Sequence, residues 1–494
     1  MKNTSKIINL LTLLLFLSLP SFAQDAKPTK GWQNLDLEQD GYLGISTYKA
    51  EKTLLNGKTA VPIVVAIIDG GVDIDHPGIS PYLWTNKREI PGNGIDDDHN
   101  GFVDDIHGWN FLGDGKYTFH YDNKEIVRKF RAAYKADSNS LETRTLKSEI
   151  GNKVAALKSQ FALISPEYDA LMEILKELGS KEPTLEKLRS FKYKSEFQEI
   201  ALVHLVRGLQ SDPEYIENFT DKRNTYKNQI DYYFNVSYDP RRGNTAFSKK
   251  KYGNNNVKGL EPSHGTHVAG IIPSVCKNAK LMIIRTIPDG DPLDQDVASS
   301  IRYAVDNGAR IINMSTGKSL SMNKEAVDDA VRYAMSKDVL IVHAAGNAGI
   351  KIEQQTVFPN RYYQKGGLAQ AWIEVGASGP KKSNEVLPWF SNYSKQIVDV
   401  FAPGVDIYST FPNNRYKFLN GTSMAAPVVS GAAALIMAYN STMGAVAVKK
   451  LMLESVIKLD QNVNAAGESI SFDELSLSGG IVNVFKVFNT LFKK

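Results

Sequence analysis

Val61-Pro62-Ile63-Val64-Val65-Ala66-Ile67-Ile68-Asp69-Gly70-Gly71 is a β-branched, almost wholly apolar run that stops at a carboxylate followed by two glycines. A strand without a polar face is buried on both sides, the situation of a parallel strand covered by helices. From about residue 263 onward, 280–287, 310–314, 339–345, 372–377 and 397–402 read as further strands. Residues 296–307 and 324–336 read as amphipathic helices between them. Strands alternating with helices predict an α/β architecture, one parallel sheet with helices on both faces.

The stretch from about 113 to 260 has a different character. Roughly a third of its positions between Asp122 and Asp231 are charged, the pattern of solvated helices. Leu171, Ile174, Leu175 and Leu178, then Leu185, Leu188 and Phe191, recur at helical spacing. Residues 113–260 are therefore expected to be a mostly helical insertion, punctuated by Pro166, Pro183 and Pro213. The predicted organisation is a leader at 1–23, an N-terminal extension at 24–60, an α/β unit made of 61–112 and 261–494, and the insertion at 113–260. Residues 441–494 read as terminal helices plus a short strand, without room for a separate export or adhesion domain.

Composition narrows the function classes. The 494 residues are 42% hydrophobic and 23% charged, which excludes a disordered chain and a polytopic membrane protein. Cys276 is the only cysteine, so no intrachain disulfide forms. Lys2 and Lys6 precede a short apolar run and Ser21-Phe22-Ala23, the layout of a secretory signal peptide cleaved before Gln24. Its removal lowers the net charge from +4 to +2. A near-neutral mature chain carries no basic stripe for nucleic acid. No cysteine follows the apolar run, so lipidation there is excluded. The expectation is a secreted or periplasmic protein without stable membrane insertion after cleavage.

Three short segments carry chemistry. Asp69 closes the first strand, where open α/β sheets place their sites. His264 lies in Ser263-His264-Gly265-Thr266-His267-Val268-Ala269-Gly270. Ser423 lies in Asn420-Gly421-Thr422-Ser423-Met424-Ala425-Ala426-Pro427, before a small-residue helical run, so it sits at a helix N-terminus with free N–H groups. A serine hydroxyl needs a base to remove its proton, neutral histidine is such a base near pH 7, and a carboxylate orients the imidazole. Asp69, His264 and Ser423 supply those three roles.

With these three segments the chain resembles the subtilisin-like serine peptidases, the subtilases, over about 61–112 and 262–440. The resemblance implies a three-layer fold with the insertion between the catalytic Asp and His. It also implies that His264 is the base and His267 a packing residue. Ala344-Ala345-Gly346-Asn347 resembles the family segment whose Asn completes an oxyanion hole, so Asn347 is expected to share that role with the Ser423 N–H. Asn313-Met314-Ser315-Thr316-Gly317-Lys318 resembles the strand that pairs with extended substrate. Ser315, Thr316, Gly317, Ala345 and Gly346 are the expected substrate-binding residues. The family often has a second glycine where this chain has Lys318. That cation either narrows the pocket and favours acidic side chains or points to solvent, and the second is expected. Residues 24–60 are shorter than the family's usual inhibitory propeptide.

Asn93 to Asp105 packs five carboxylates into one loop. Asp96, Asp98, Asn100 and Gly101 match the opening of an EF-hand-like calcium loop, with His107 where the closing Glu belongs and Asp104 or Asp105 as replacements. A structural Ca²⁺ is expected there. Asp69 and His264 are 195 positions apart. The insertion that separates them either overhangs the cleft and restricts access or is a peripheral stabilising unit. The expected function is an exported serine endopeptidase acting on polypeptides. The alternatives are a processing protease of narrow specificity and a non-catalytic peptide-binding homologue.

Overall fold

A computed structural model describes residues 27–115, 117–242, 252–353 and 357–493; the expected signal peptide lies outside the described residues. The first strand, β1 (Ile63–Asp69), lies inside a nine-stranded sheet, third from one edge. The others are β2 (Gly108–Asn110), β3 (Ala279–Arg285), β4 (Ile311–Met314), β5 (Leu340–Ala344), β6 (Trp372–Ser378), β7 (Val400–Pro403), β8 (Ile457–Lys458) and β9 (Gly480–Ile481). Their order is β8-β9-β7-β6-β5-β4-β1-β3-β2, and every pairing is parallel except β8 with β9.

The apolar run that forms β1 is explained by its two faces. Val65 and Ile67 face a core shared with α6 (Ser263–Val275) and α9 (Thr422–Tyr439), while Ala66 and Ile68 face a second core shared with α7 (Asp294–Asp306) and α8 (Lys324–Ser336). Three layers result, helices over and under one sheet. The helix α9 is long and apolar enough to cross a membrane, but 89% of it is buried inside the protein. After β1 the chain forms β2 and then β3 on one side, and then builds β4 to β7 on the other. The C-terminal end of β1 is thus a switch point flanked by diverging loops, the place where such sheets open a crevice.

The insertion has two small cores of its own. Its helices are α1 (Glu125–Ala136), α2 (Leu141–Leu178), α3 (Leu185–Ser190), α4 (Glu196–Ser211) and α5 (Tyr215–Asn228). Val127, Phe130, Leu146 and Ile150 make one cluster; Leu171, Ile174, Leu175, Leu188 and Leu205 belong to the other. Pro183 and Pro213 lie between helices, but Pro166 does not end one: α2 runs through it for 38 residues. Ser165 donates to the Phe161 carbonyl at 2.7 Å at that point. The helical unit is also narrower than 113–260. Asn254 pairs with Asn110, and Val257 enters the core of the sheet domain, so 252–260 run with the sheet.

The N-terminal extension wraps the sheet domain rather than hanging from it. Trp32 is fully buried and donates to the Val405 carbonyl at 3.1 Å, and Asn483 donates to Ser46 at 2.7 Å. Beyond α10 (Ala445–Glu454), the C-terminal segment holds a hairpin, Asn462–Ala465 with Glu468–Ser471, that the sequence pattern did not indicate. The terminal helix α11 (Val484–Phe492) follows it.

Candidate active site

Asp69 is the last residue of β1. Its side chain is 5% exposed, and Oδ1 accepts the Gly70 N–H at 2.7 Å. His264 is the second residue of α6, and its Nδ1 lies 2.9 and 3.0 Å from the two Asp69 oxygens. With Asp69 accepting there, Nδ1 carries the proton and Nε2 is the free basic nitrogen; among the described residues it has no partner. Burial pulls the imidazole pKa down, but the charge and hydrogen bond of Asp69 outweigh it and hold it above the ordinary histidine value. The approach depends on Gly265. An ideal Cβ there would lie 2.2 Å from the Gly71 carbonyl oxygen and 3.1 Å from Asp69 Oδ1, so only glycine lets α6 seat against the loop after β1.

Ser423 is the second residue of α9, where its N–H has no intrahelical acceptor. The Ser423 hydroxyl donates to the Ser315 carbonyl at 3.2 Å rather than to His264. In return the Ser315 hydroxyl donates to the Ser423 carbonyl at 2.9 Å. Ser315 Oγ in turn accepts from Asn313 at 3.1 Å, and Asn313 accepts from Ser430 of α9 at 2.9 Å. This buried chain of hydrogen bonds fixes the start of α9 to the end of β4.

Asn347, in the exposed loop after β5, is oriented by Thr422. The Thr422 N–H and hydroxyl both donate to Asn347 Oδ1 at 2.9 Å, which fixes the amide with Nδ2 as its donor end. Thr422 Oγ1 also accepts the Gly346 N–H at 3.1 Å. Asn392 holds the same loop: it donates to the Ala345 carbonyl at 2.8 Å and accepts from Ala348 and Ile350. Gly346 has φ 97°, and a Cβ there would be 2.7 Å from Asn392 Nδ2.

The expected substrate residues divide. Thr316 is half-buried and Gly317 exposed at the end of β4, and Gly346 is half-buried beside Asn347. Ala345 is fully buried and lines no open surface, and the Ser315 side chain is spent on Ser423. Lys318 corrects the expectation of a solvent-facing cation. Its side chain is 1% exposed and its Nζ meets Glu125 Oε2 at 3.1 Å, Asp294 Oδ1 at 2.9 Å and the Pro292 carbonyl at 2.8 Å. Three oxygen acceptors make the buried position tolerable. His267 is buried one turn beyond His264; its Nε2 donates to the Lys417 carbonyl at 3.1 Å, and burial lowers its pKa to about 4.

The acidic loop is arranged differently from the EF-hand reading. Asp96 and Asp98 converge with Glu89, a residue the spacing argument missed, so that their oxygens lie within 4.8 Å of one another. Asp104 does not join them: its oxygens accept the Gly92 and Gly94 N–H groups at 2.8 and 2.9 Å. Asp105 turns inward to Asn86 and Tyr303, both at 2.7 Å, and burial pushes its pKa up to about 6. Asn100 presents its amide nitrogen to Asp98 and Asp105, with its oxygen taken by the Phe102 N–H. Three carboxylates are a donor set that suits a hard cation.

Residues 62–472 match the model of the subtilase family. The thermophilic serine proteinase of Bacillus sp. (strain AK1) is 38% identical over 185 residues, 35% of this chain and 42% of that protein. Subtilisin DY of Bacillus licheniformis is 34% identical over 231 residues, 45% of this chain and 76% of that protein. A solved cold-adapted subtilisin-like serine proteinase is 27% identical, with a TM-score of 0.38 over 46% of this chain and 77% of that one. The chain thus spans less than half the length of the first of these relatives. A family match running from β1 past α9, through every strand end that carries the residues above, means that this chain belongs to the subtilase family of serine peptidases.

Proposed function

We propose that the chain is an exported serine endopeptidase that hydrolyses polypeptides through Ser423, His264 and Asp69. The observation that carries this reading is the 2.9 Å Asp69–His264 contact at the C-terminal end of β1, with Ser423 in the first turn of α9, the helix packed against the α6 that bears His264. The Ser423 hydroxyl rotates from the Ser315 carbonyl toward His264 Nε2, which takes its proton as Oγ bonds to the substrate carbonyl carbon. Asp69 keeps Nδ1 protonated and stabilises the imidazolium. The oxyanion that forms meets Asn347 Nδ2 and the Ser423 N–H, donors held in place before the charge develops. His264 then delivers the proton to the leaving nitrogen as the C–N bond breaks. Water, deprotonated by His264, hydrolyses the acyl-enzyme and restores Ser423.

A structural Ca²⁺ on Glu89, Asp96 and Asp98 would neutralise three converging carboxylates and brace the loop after β1. The signal-peptide pattern supports a secreted or periplasmic location. The test is hydrolysis of an unstructured protein by the mature chain and by Ser423→Ala. Cleavage by wild type alone is expected; equal rates from both would refute the nucleophile assignment.

A further inference from the structure

Arg285 is the last residue of β3 and lies opposite Asp69 in the parallel register of β3 with β1. The buried run before it, Leu281 to Ile284, is apolar. The Arg285 side chain is itself fully buried, yet no carboxylate pairs with it among the described residues. Burial pulls its pKa down to about 10, so it is still a cation at neutral pH. A buried guanidinium without a counter-ion is costly, and leucine or methionine would fill the space without that cost. Packing alone therefore does not account for an arginine here, and its donors have to.

Nε donates to the Gly70 carbonyl at 3.0 Å, Nη1 to Asn110 Oδ1 at 3.1 Å and Nη2 to the Phe119 carbonyl at 2.9 Å. Gly259 leaves room for the fork: a Cβ there would stand 2.4 Å from Nε and 2.8 Å from Cζ. The Gly70 contact bears on the chemistry. Gly70 gives its N–H to Asp69 Oδ1 at 2.7 Å and its carbonyl to Arg285, so both of its polar backbone groups are tied. The Asp69 carbonyl is held as well, by the N–H groups of Thr286 and Ile287 at 2.8 and 3.2 Å. Residues 285–287 thus grip the turn after β1, and that turn carries the carboxylate that meets His264 Nδ1. The other two contacts steady the fork, one at the end of β2 and one at Phe119, where the chain enters the insertion. A planar guanidinium held at three acceptors has a fixed direction, which an ammonium on a flexible stem lacks.

We propose that Arg285 is a positioning residue of the peptidase site: its fork, braced on Asn110 and Phe119, fixes the Gly70 peptide and through it the Asp69 carboxylate that orients His264. The proposal rests on the peptidase reading. Arg285 acts only through the Gly70 turn, and its Phe119 contact makes the entry to the insertion part of the brace.

The test starts from Arg285→Met, which fills the space without donors. On a peptide anilide its kcat is expected to fall about tenfold or more with KM within about twofold, since a displaced orienting group costs turnover rather than binding. Arg285→Lys, which keeps the charge and one donor, is expected to recover part of the loss. In the Asp69→Asn background Arg285→Met is expected to cost less than about twofold in kcat, because residues that act through one contact are not additive. Proton NMR on Ser423→Ala, where no turnover is involved, reads the His264 Nδ1–H directly. Its downfield signal is expected to move upfield when Arg285→Met is added. It is expected to stay in place with Phe472→Leu, a packing change in the distant core beside Phe401 that lowers stability only. An unmoved signal, a fully additive loss with Asp69→Asn, or kcat losses that merely follow the melting temperatures of Arg285→Met and Phe472→Leu would overturn the assignment. If Arg285→Met does not fold, Arg285→Lys takes its place in the same cycle and the same NMR comparison. A signal that moves in a protein whose wild type cleaves nothing would instead uphold the role of Arg285 at Asp69 and refute the peptidase reading.

Discussion

Replacing Gly265 by alanine tests whether helix seating creates the His264–Asp69 contact. The added methyl would stand 2.2 Å from the Gly71 carbonyl oxygen, whereas ordinary contact begins at 3.4 Å. That carbonyl has little freedom to yield. A Cβ at Gly71 would itself be 2.2 Å from the Lys258 carbonyl, and Val72 donates to Val257 at 3.1 Å, so the loop is backed by 257–258. The helix has to withdraw by about 1.2 Å, and a misplacement of that size costs on the order of 10²-fold in turnover. The overpacking also lowers stability by about 1–3 kcal/mol. Gly270 supplies the control: it lies in the same helix, and a Cβ there would be 2.1 Å from Thr410 Oγ1, far from His264. Steady-state kinetics on a peptide anilide, with thermal melting of both variants, separates the effects. Gly265→Ala is expected to lose kcat with KM nearly intact, and Gly270→Ala to lose stability with kcat retained. A kcat for Gly265→Ala within threefold of wild type, or equal kcat losses in both variants, would refute the seating argument.

Four further outcomes are expected. Activity requires neutral His264, so its acid limb is expected above the ordinary histidine pKa of 6.5, and Asp69→Asn, which removes the raising charge, moves the limb down while lowering kcat; a pH–rate profile with an unmoved limb would count against the assignment. Thr422→Val removes one of two donors to Asn347 and the acceptor of the Gly346 N–H, and at about 1 kcal/mol per hydrogen bond kcat is expected to fall about fivefold or more with KM unchanged. Ca²⁺ is expected to raise the melting temperature of wild type over chelator, with a smaller gap for Glu89→Gln; equal gaps would remove Glu89 from the site. His267 is held neutral in the fold down to about pH 4 but protonates near 6.5 when unfolded, so its linkage removes up to about 3 kcal/mol of stability as pH falls through that window. Denaturant titrations of wild type and His267→Gln at pH 7 and 4.5 are expected to show a shallower loss in the variant.

The sheet was legible because burial on both faces leaves a plain record in composition. The run at 63–69 alternates between two cores and has no polar position to hide, and the strands predicted near 280, 310, 340 and 372 fall within a few residues of β3 to β6. The segments that carry Asp69, His264 and Ser423 stand out for a related reason, since each is a local word: Gly265 is needed where α6 meets the β1 loop, and Thr422 where α9 meets Asn347. Pro166 misled because a local helix-breaking rule was outweighed by packing. In α2, Leu157 on one side of the proline and Ala170 and Leu171 on the other are buried, and keeping both contacts favours one continuous helix.

The features that the sequence does not disclose depend on partners distant in sequence. Glu89 joins Asp96 and Asp98 only because the loop folds back, and its Oε2 is fixed by the Asp104 N–H at 3.0 Å. Nothing in Ser315-Thr316-Gly317-Lys318 announces that the lysine is buried, because its partner Glu125 is 193 positions away. The charge count of the insertion pointed to solvated helices, and most of its charges are solvated. The exceptions matter more: Glu125 and Arg128 are drawn inward at the first turn of α1, where Glu125 faces Lys318 and Arg128 pairs with Asp122 at 3.1 Å. Removing one member of such a buried cluster leaves an uncompensated charge at a cost of about 3–5 kcal/mol, so α1 is held firmly at its N-terminus. An insertion that merely decorated the surface would need no buried ionic anchor beside Gly317. The anchor joins the first turn of α1 to the segment that follows β4, and this fixes the insertion against the sheet domain at that point.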